Sequence, residues 1–96
     1  MSNTTIVAHI RAKSDQTALV RAELEKMIAP TRTESGCLQY DLHQDNQDPT
    51  HFVMLETWAS PEQLQAHAAG QPMKAFQAAV QGAIESFTVH DLTRIG

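Results

Sequence analysis

The sequence predicts an α+β domain: a four-stranded antiparallel sheet with its helices on one face, in the order βαββαβ. Three observations predict it. Hydrophobic periodicity switches between two and about 3.6 along the chain. A polar turn, Asp45-Asn46-Gln47-Asp48-Pro49-Thr50, divides two alternating runs as in an antiparallel hairpin. Capping residues and helical stripes fill the stretches between the other strands. Residues 1–96 read as a single domain, with no repeats, linkers or low-complexity segments.

Each element has its own signal. Thr5 to Lys13 alternates, with Ile6, Ala8, Ile10 and Ala12 on one face and Val7, His9, Arg11 and Lys13 on the other. Ser14 or Asp15 is expected to cap the following helix, because a short side-chain oxygen accepts from the orphan N–H groups at its start. Val20, Leu24, Met27 and Ile28 form its apolar stripe. Pro30 lacks the helical donor and crowds the preceding turn, so an end or a kink is expected there, with Gly36 as the stop. Cys37 to Gln44 alternates again, placing Leu38, Tyr40 and Leu42 on one face, and His51 to Trp58 forms the second arm of the hairpin. Ser60-Pro61-Glu62-Gln63 combines an N-cap, a proline at the first helical position and a glutamine three residues on. That helix runs to about Ala69, where Gly70 interrupts it. Pro72 opens a second helical segment with Met73, Phe76, Val80 and Ile84 as its buried stripe, and Phe87 to Ile95 reads as the last strand. This is the ferredoxin-like plan. It leaves one sheet face bare with several apolar side chains on it, and something must cover that face.

Composition narrows the function classes. A chain of 96 residues buries roughly 60–65% of its extended surface, so dimerisation would add useful stability. The net charge is −4 and the seven Lys and Arg residues are scattered, which argues against nucleic acid as a partner. No apolar run approaches the ~20 residues of a membrane span. The opening Met-Ser-Asn-Thr-Thr has no signal-peptide pattern, and the single cysteine forms no internal disulfide, so a cytoplasmic protein is expected. There is no Gly-rich phosphate loop, no Cys/His metal spacing and no Ser–His–Asp order. His9, His43, His51, His67 and His90 are dispersed, none at the i, i+4 spacing of a helical metal site. Cys37 reads as a small packed residue. With no metal or cofactor expected, an enzyme built here would rely on the reactivity of its substrate.

Glu56-Thr57-Trp58-Ala59-Ser60, followed by Leu64, His67 and Met73-Lys74-Ala75-Phe76, is the most distinctive constellation; Glu34-Ser35-Gly36-Cys37-Leu38-Gln39-Tyr40 stands upstream. Together these segments resemble the antibiotic biosynthesis monooxygenase family, and among its members the small quinol monooxygenases. The resemblance implies a dimeric α+β barrel, a homodimer in which two sheets pack through their open faces. It also implies a monooxygenase that oxidises a quinol or related electron-rich aromatic with O2 and uses no flavin, haem or metal. Such an enzyme supplies a dry cavity, a proton acceptor and donors for the developing oxyanion. A pocket between sheet and helices is where that cavity is expected. One departure stands out: many members carry a histidine where this chain has Pro72.

Within that frame His67 is the candidate base. Leu64, His67 and Ala68 share a helical face, and an imidazole titrates near neutral pH. Its bland alternative is a helix histidine bonded to the core edge, for example to Glu56. Glu56 lies in an apolar run and needs a partner if buried, either as the orienter of His67 or in a purely structural pair. Trp58 shares a face with Phe52, Met54 and Glu56, and its N–H either contacts a bound oxygen species or meets a backbone carbonyl. Tyr40, Met54, Leu64, Met73 and Phe76 are the expected substrate wall, and the same residues would serve as plain core. His9 is expected on the face that meets the second subunit.

Rival readings make other demands. A haem-degrading member needs an axial histidine and a large pocket, and the strand Asn associated with those members is not apparent. An isomerase of a phosphorylated sugar needs a cationic clamp, yet Arg11, Lys13 and Lys74 do not converge. A non-catalytic dimeric small-molecule-binding module would pack Trp58 and His67 into a filled core with no cavity. Fold similarity does not choose among them.

Overall fold

The computed structural model describes residues 3–96. Strand β1 (Thr4–Ala12) leads to helix α1 (Thr17–Arg32), the hairpin β2 (Cys37–Gln44) and β3 (His51–Trp58), helices α2 (Pro61–Ala68) and α3 (Gln71–Ala79), and strand β4 (Ile84–Leu92). The strands form one antiparallel sheet in the order β2-β3-β1-β4. The expected ferredoxin-like plan is present, with its second helical region divided at Gly70.

Alternation decides which face is which. Ile6, Ala8, Ile10 and Ala12 of β1 are buried beneath the helices together with Phe52, Met54, Glu56 and Trp58 of β3. Val20, Leu24 and Met27 of α1 and Phe76 of α3 close the core from above.

Four local expectations are corrected. Helix α1 is preceded by Gln16, which makes no side-chain cap; Ser14 and Asp15 lie in the turn before it. Pro30 does not end α1 but sits inside its last turn, where its missing N–H forfeits one hydrogen bond close to the terminus. The Thr33 N–H and hydroxyl both donate to the Pro30 carbonyl, so the turn closes all the same. Gly36, at φ +83°, then reverses the chain as expected. Leu38 leaves the Tyr40 face: Cys37 pairs with Trp58 and Gln39 with Thr57, which makes Leu38 the extra residue of a β-bulge, 58% exposed. Finally, Gly82 at φ +81° turns the chain early. Ile84 therefore begins β4 instead of extending the helical stripe, and Ile95 lies beyond the strand.

The helices do not cover the whole inner face. Phe87 and Val89 of β4 stand in register with Ile10 and Ala8, yet they are 45% and 53% exposed. On the outer face Val7, Val53 and Leu55 are half-buried and Leu92 is exposed. There His9 stacks on His51, ring centroids 5.2 Å apart. Among the described residues no helix is long and apolar enough to cross a membrane.

Candidate active site

Helix α2 brings a histidine to the sheet because its start is so well defined. The Ser60 hydroxyl accepts from the Gln63 N–H and Pro61 supplies the first helical residue. One turn later Leu64 faces the sheet, and His67 follows on the same side, 2% exposed.

His67 is held from three directions. Its Nδ1 lies 3.0 Å from Oε1 of Glu34, in the loop after α1. The Trp58 indole stacks on its ring with centroids 4.7 Å apart, and Tyr40 meets it edge-on at 5.5 Å. A carboxylate accepts only, so Nδ1 carries the proton in the neutral ring and Nε2 is left with a lone pair. Nε2 is buried without a hydrogen-bond partner and stands 4.0 Å from Oε1 of Glu56.

Glu56 is itself anchored. Its Oε1 accepts from the Trp58 indole N–H at 2.9 Å, and burial pushes its carboxyl above the ordinary glutamate range, against the opposing pull of the Trp58 hydrogen bond and His67. Burial likewise raises the Tyr40 hydroxyl well above the usual phenol range. Cys37 is packed against the core, and its thiol is raised first by burial and then by the nearby Glu34 and Glu56 charges. It is a poor nucleophile there.

Glu56 and His67 form part of the wall of a cavity of about 400 Å³ between α2, α3 and the uncovered strand β4. Ile6, Ala8, Leu64, Met73, Phe87 and Val89 make its apolar sides, with Gln65, Gln77 and Asp91 among the polar ones. A neighbouring hollow of about 300 Å³ shares Met73, Gln77 and Phe87. Lys and Arg are absent from the described lining of both.

The expected site residues therefore divide. His67, Glu56, Leu64 and Met73 meet at the cavity. Trp58 is fully buried behind them, and its N–H is committed to Glu56 instead of facing a bound oxygen species or a backbone carbonyl. Tyr40 backs His67 with its hydroxyl 3.9 Å from the Met27 sulfur, and Met54 is core. Phe76 lies in the core and borders the neighbouring hollow. The group that orients His67 through Nδ1 is Glu34, not Glu56. Sequence reasoning gave Glu34 no role, although it stands two residues before the Gly36 reversal that carries the chain into the sheet. Asp91 was missed as well.

The comparisons place the chain among known proteins. Rv0793 of Mycobacterium tuberculosis is 35% identical over 66 residues, covering 69% of this chain and 64% of that protein, so the match spans less than two thirds of that relative's length. The Escherichia coli protein named "Probable quinol monooxygenase YgiN" is 29% identical over 98 residues, covering 92% of this chain and 94% of that protein. The crystal structure of PA3566 from Pseudomonas aeruginosa superimposes with a TM-score of 0.95 at 31% identity, covering 100% of this chain and 97% of that one. The family described as "Antibiotic biosynthesis monooxygenase" matches residues 4–79, which span β1 to α3 and include Glu34, Glu56, Trp58 and His67. The chain belongs to the antibiotic biosynthesis monooxygenase family.

Proposed function

We propose that the protein is a monooxygenase that oxidises a quinol or related electron-rich aromatic with O2 in the cavity beside His67. The carrying observation is the buried Nε2 of His67, unpartnered and 4.0 Å from the Glu56 carboxyl, in a pair of residues that both line a largely apolar cavity. An unpaired buried lone pair is costly, and beside a carboxyl that lines the cavity it is suited to receive a proton by way of that carboxyl. The family match and the printed name of YgiN support the reaction class.

In this reading the aromatic hydroxyl gives its proton to the Glu56–His67 pair. The proton comes to rest on Nε2, where the Glu34 carboxylate stabilises the imidazolium from Nδ1. The phenolate then passes an electron to O2, the two radicals combine at a ring carbon as a peroxide, and the imidazolium returns its proton to give a hydroperoxide. Loss of water leaves a hydroxyquinone. All four electrons come from the substrate: one oxygen atom enters the product and the other leaves as water. The bare outer face, with Val7, Val53, Leu55 and His9, is proposed to pack on its equivalent in a second copy.

The test is O2 consumption by purified protein with a panel of hydroquinones, corrected for autoxidation and compared with His67→Ala. Saturable uptake that falls at least about 100-fold in the variant is expected. Uptake unchanged by the substitution would remove His67 from the chemistry, and none above background would remove the oxygenase reading.

A further inference from the structure

Strand β4 adds a carboxylate to the cavity at the end away from His67. The sheet register aligns Tyr40, Glu56, Ile6 and Asp91 in one row across all four strands, all on the inner face. Glu56 and Asp91 thus flank Ile6, with their Cα atoms two strand spacings, roughly 10 Å, apart. Asp91 is positioned by the buried Thr4, whose hydroxyl donates to Oδ1 at 2.6 Å. No ion pair among the described residues engages Asp91, and the described cavity lining holds no Lys or Arg that could neutralise it. The other end of the cavity is lined by Glu56 and by His67, whose buried Nε2 has no partner. Asp91 also lies outside residues 4–79, the stretch matched by the family.

We propose that this cavity selects uncharged or cationic phenols over anionic ones, with Asp91 as the specificity-determining residue that receives an ammonium or other donor borne on the ring opposite the reacting hydroxyl. A single aromatic ring with a short arm spans the interval from the Glu56–His67 pair to Asp91, lying along Ile6, Ala8 and Val89. A carboxylate or phosphate in the same place would meet a like charge with no counter-ion, whereas an ammonium would gain a charge-assisted hydrogen bond. The inference rests on the cavity being the ligand site of the proposed function, but it does not need the oxidation step.

The experiment is an NMR titration of the 15N-labelled full chain, following amide shifts in β4 and α2, with three matched probes: tyramine, 4-ethylphenol and 4-hydroxyphenylacetate. Tyramine is expected to bind about two- to fivefold more tightly than 4-ethylphenol, the gain of an ion pair to the solvent-exposed Asp91, with 4-hydroxyphenylacetate weakest. Added salt should narrow the gap. In Asp91→Asn, which keeps the oxygen that Thr4 contacts, the preference for tyramine should disappear while 4-ethylphenol binding is retained. A preference that survives in the variant, equal affinities in the unmodified chain, or no binding by any probe would each overturn the proposal. Binding in the predicted order together with no O2 uptake from the hydroquinone panel would instead overturn the oxygenase reading and leave this one standing.

Discussion

The Trp58 indole lies on the His67 imidazole, with ring centroids 4.7 Å apart and planes inclined by 28°, while its N–H holds Glu56. One fully buried side chain thus fixes both members of the proposed proton-handling pair. Trp58→Phe retains an aromatic surface but leaves the Glu56 oxygen without its donor. It is expected to lower stability by about 1–3 kcal/mol, the cost of an unsatisfied buried polar group. Urea unfolding at neutral pH measures this.

Glu34 acts on His67 from the other side of the ring. Glu34→Gln keeps a hydrogen-bond acceptor and removes the negative charge that would steady an imidazolium in the proposed reaction. The loss expected in kcat/KM toward a responsive quinol is about tenfold, the lower end of what losing the hydrogen-bond partner of a metal-bound histidine costs. Steady-state O2 uptake, with circular dichroism to confirm the fold, tests it. A variant as active as the unmodified protein would make the Glu34 contact purely structural.

The raised carboxyl of Glu56 has a signed consequence for stability. Burial makes the native state hold this proton more tightly than the unfolded chain does. Stability therefore falls as pH rises from the ordinary glutamate range through the elevated native value, and the penalty is complete above it. Glu56→Gln removes the charge but can still accept from Trp58. Its melting temperature relative to the unmodified protein should accordingly be higher near pH 8 than near pH 4. Parallel thermal melts at the two values decide this, and a difference independent of pH would contradict it.

The bare face of the sheet gives a prediction about assembly. Leu55 is half-buried on the outer face between Val7 of β1 and Asp41 of β2. If two copies meet there, Leu55→Glu sets like charges at the centre of the contact, and light scattering should report a monomer in place of a dimer. A dimer that persists unchanged would move the interface elsewhere.

Much of this fold is legible in the sequence because its signals are local. The β1 alternation from Ile6 to Ala12 and the Ser60–Gln63 cap depend on neighbours a few residues away, and both appear where expected. The errors arise where a longer-range pairing decides. Leu38 fits its alternating run, but only the pairing of Cys37 and Gln39 with adjacent β3 residues reveals the bulge. Pro30 is a helix breaker in isolation, yet near the end of a 16-residue helix one missing bond does not stop it. The site follows the same logic. His67 and Leu64 share a helical face and were placed by spacing alone. The Glu34–His67 contact joins residues 33 apart, and Asp91 reaches the cavity only through the β1–β4 register. Neither has a local sequence signal.

The most direct test of the account is the fate of oxygen during turnover of a responsive hydroquinone under 18O2, followed by mass spectrometry of product quenched early and by peroxide assay. One labelled oxygen atom is expected in each hydroxyquinone formed, with no stoichiometric hydrogen peroxide and loss of that product with His67→Ala. An unlabelled quinone formed with an equivalent of peroxide, at a rate indifferent to His67, would contradict it.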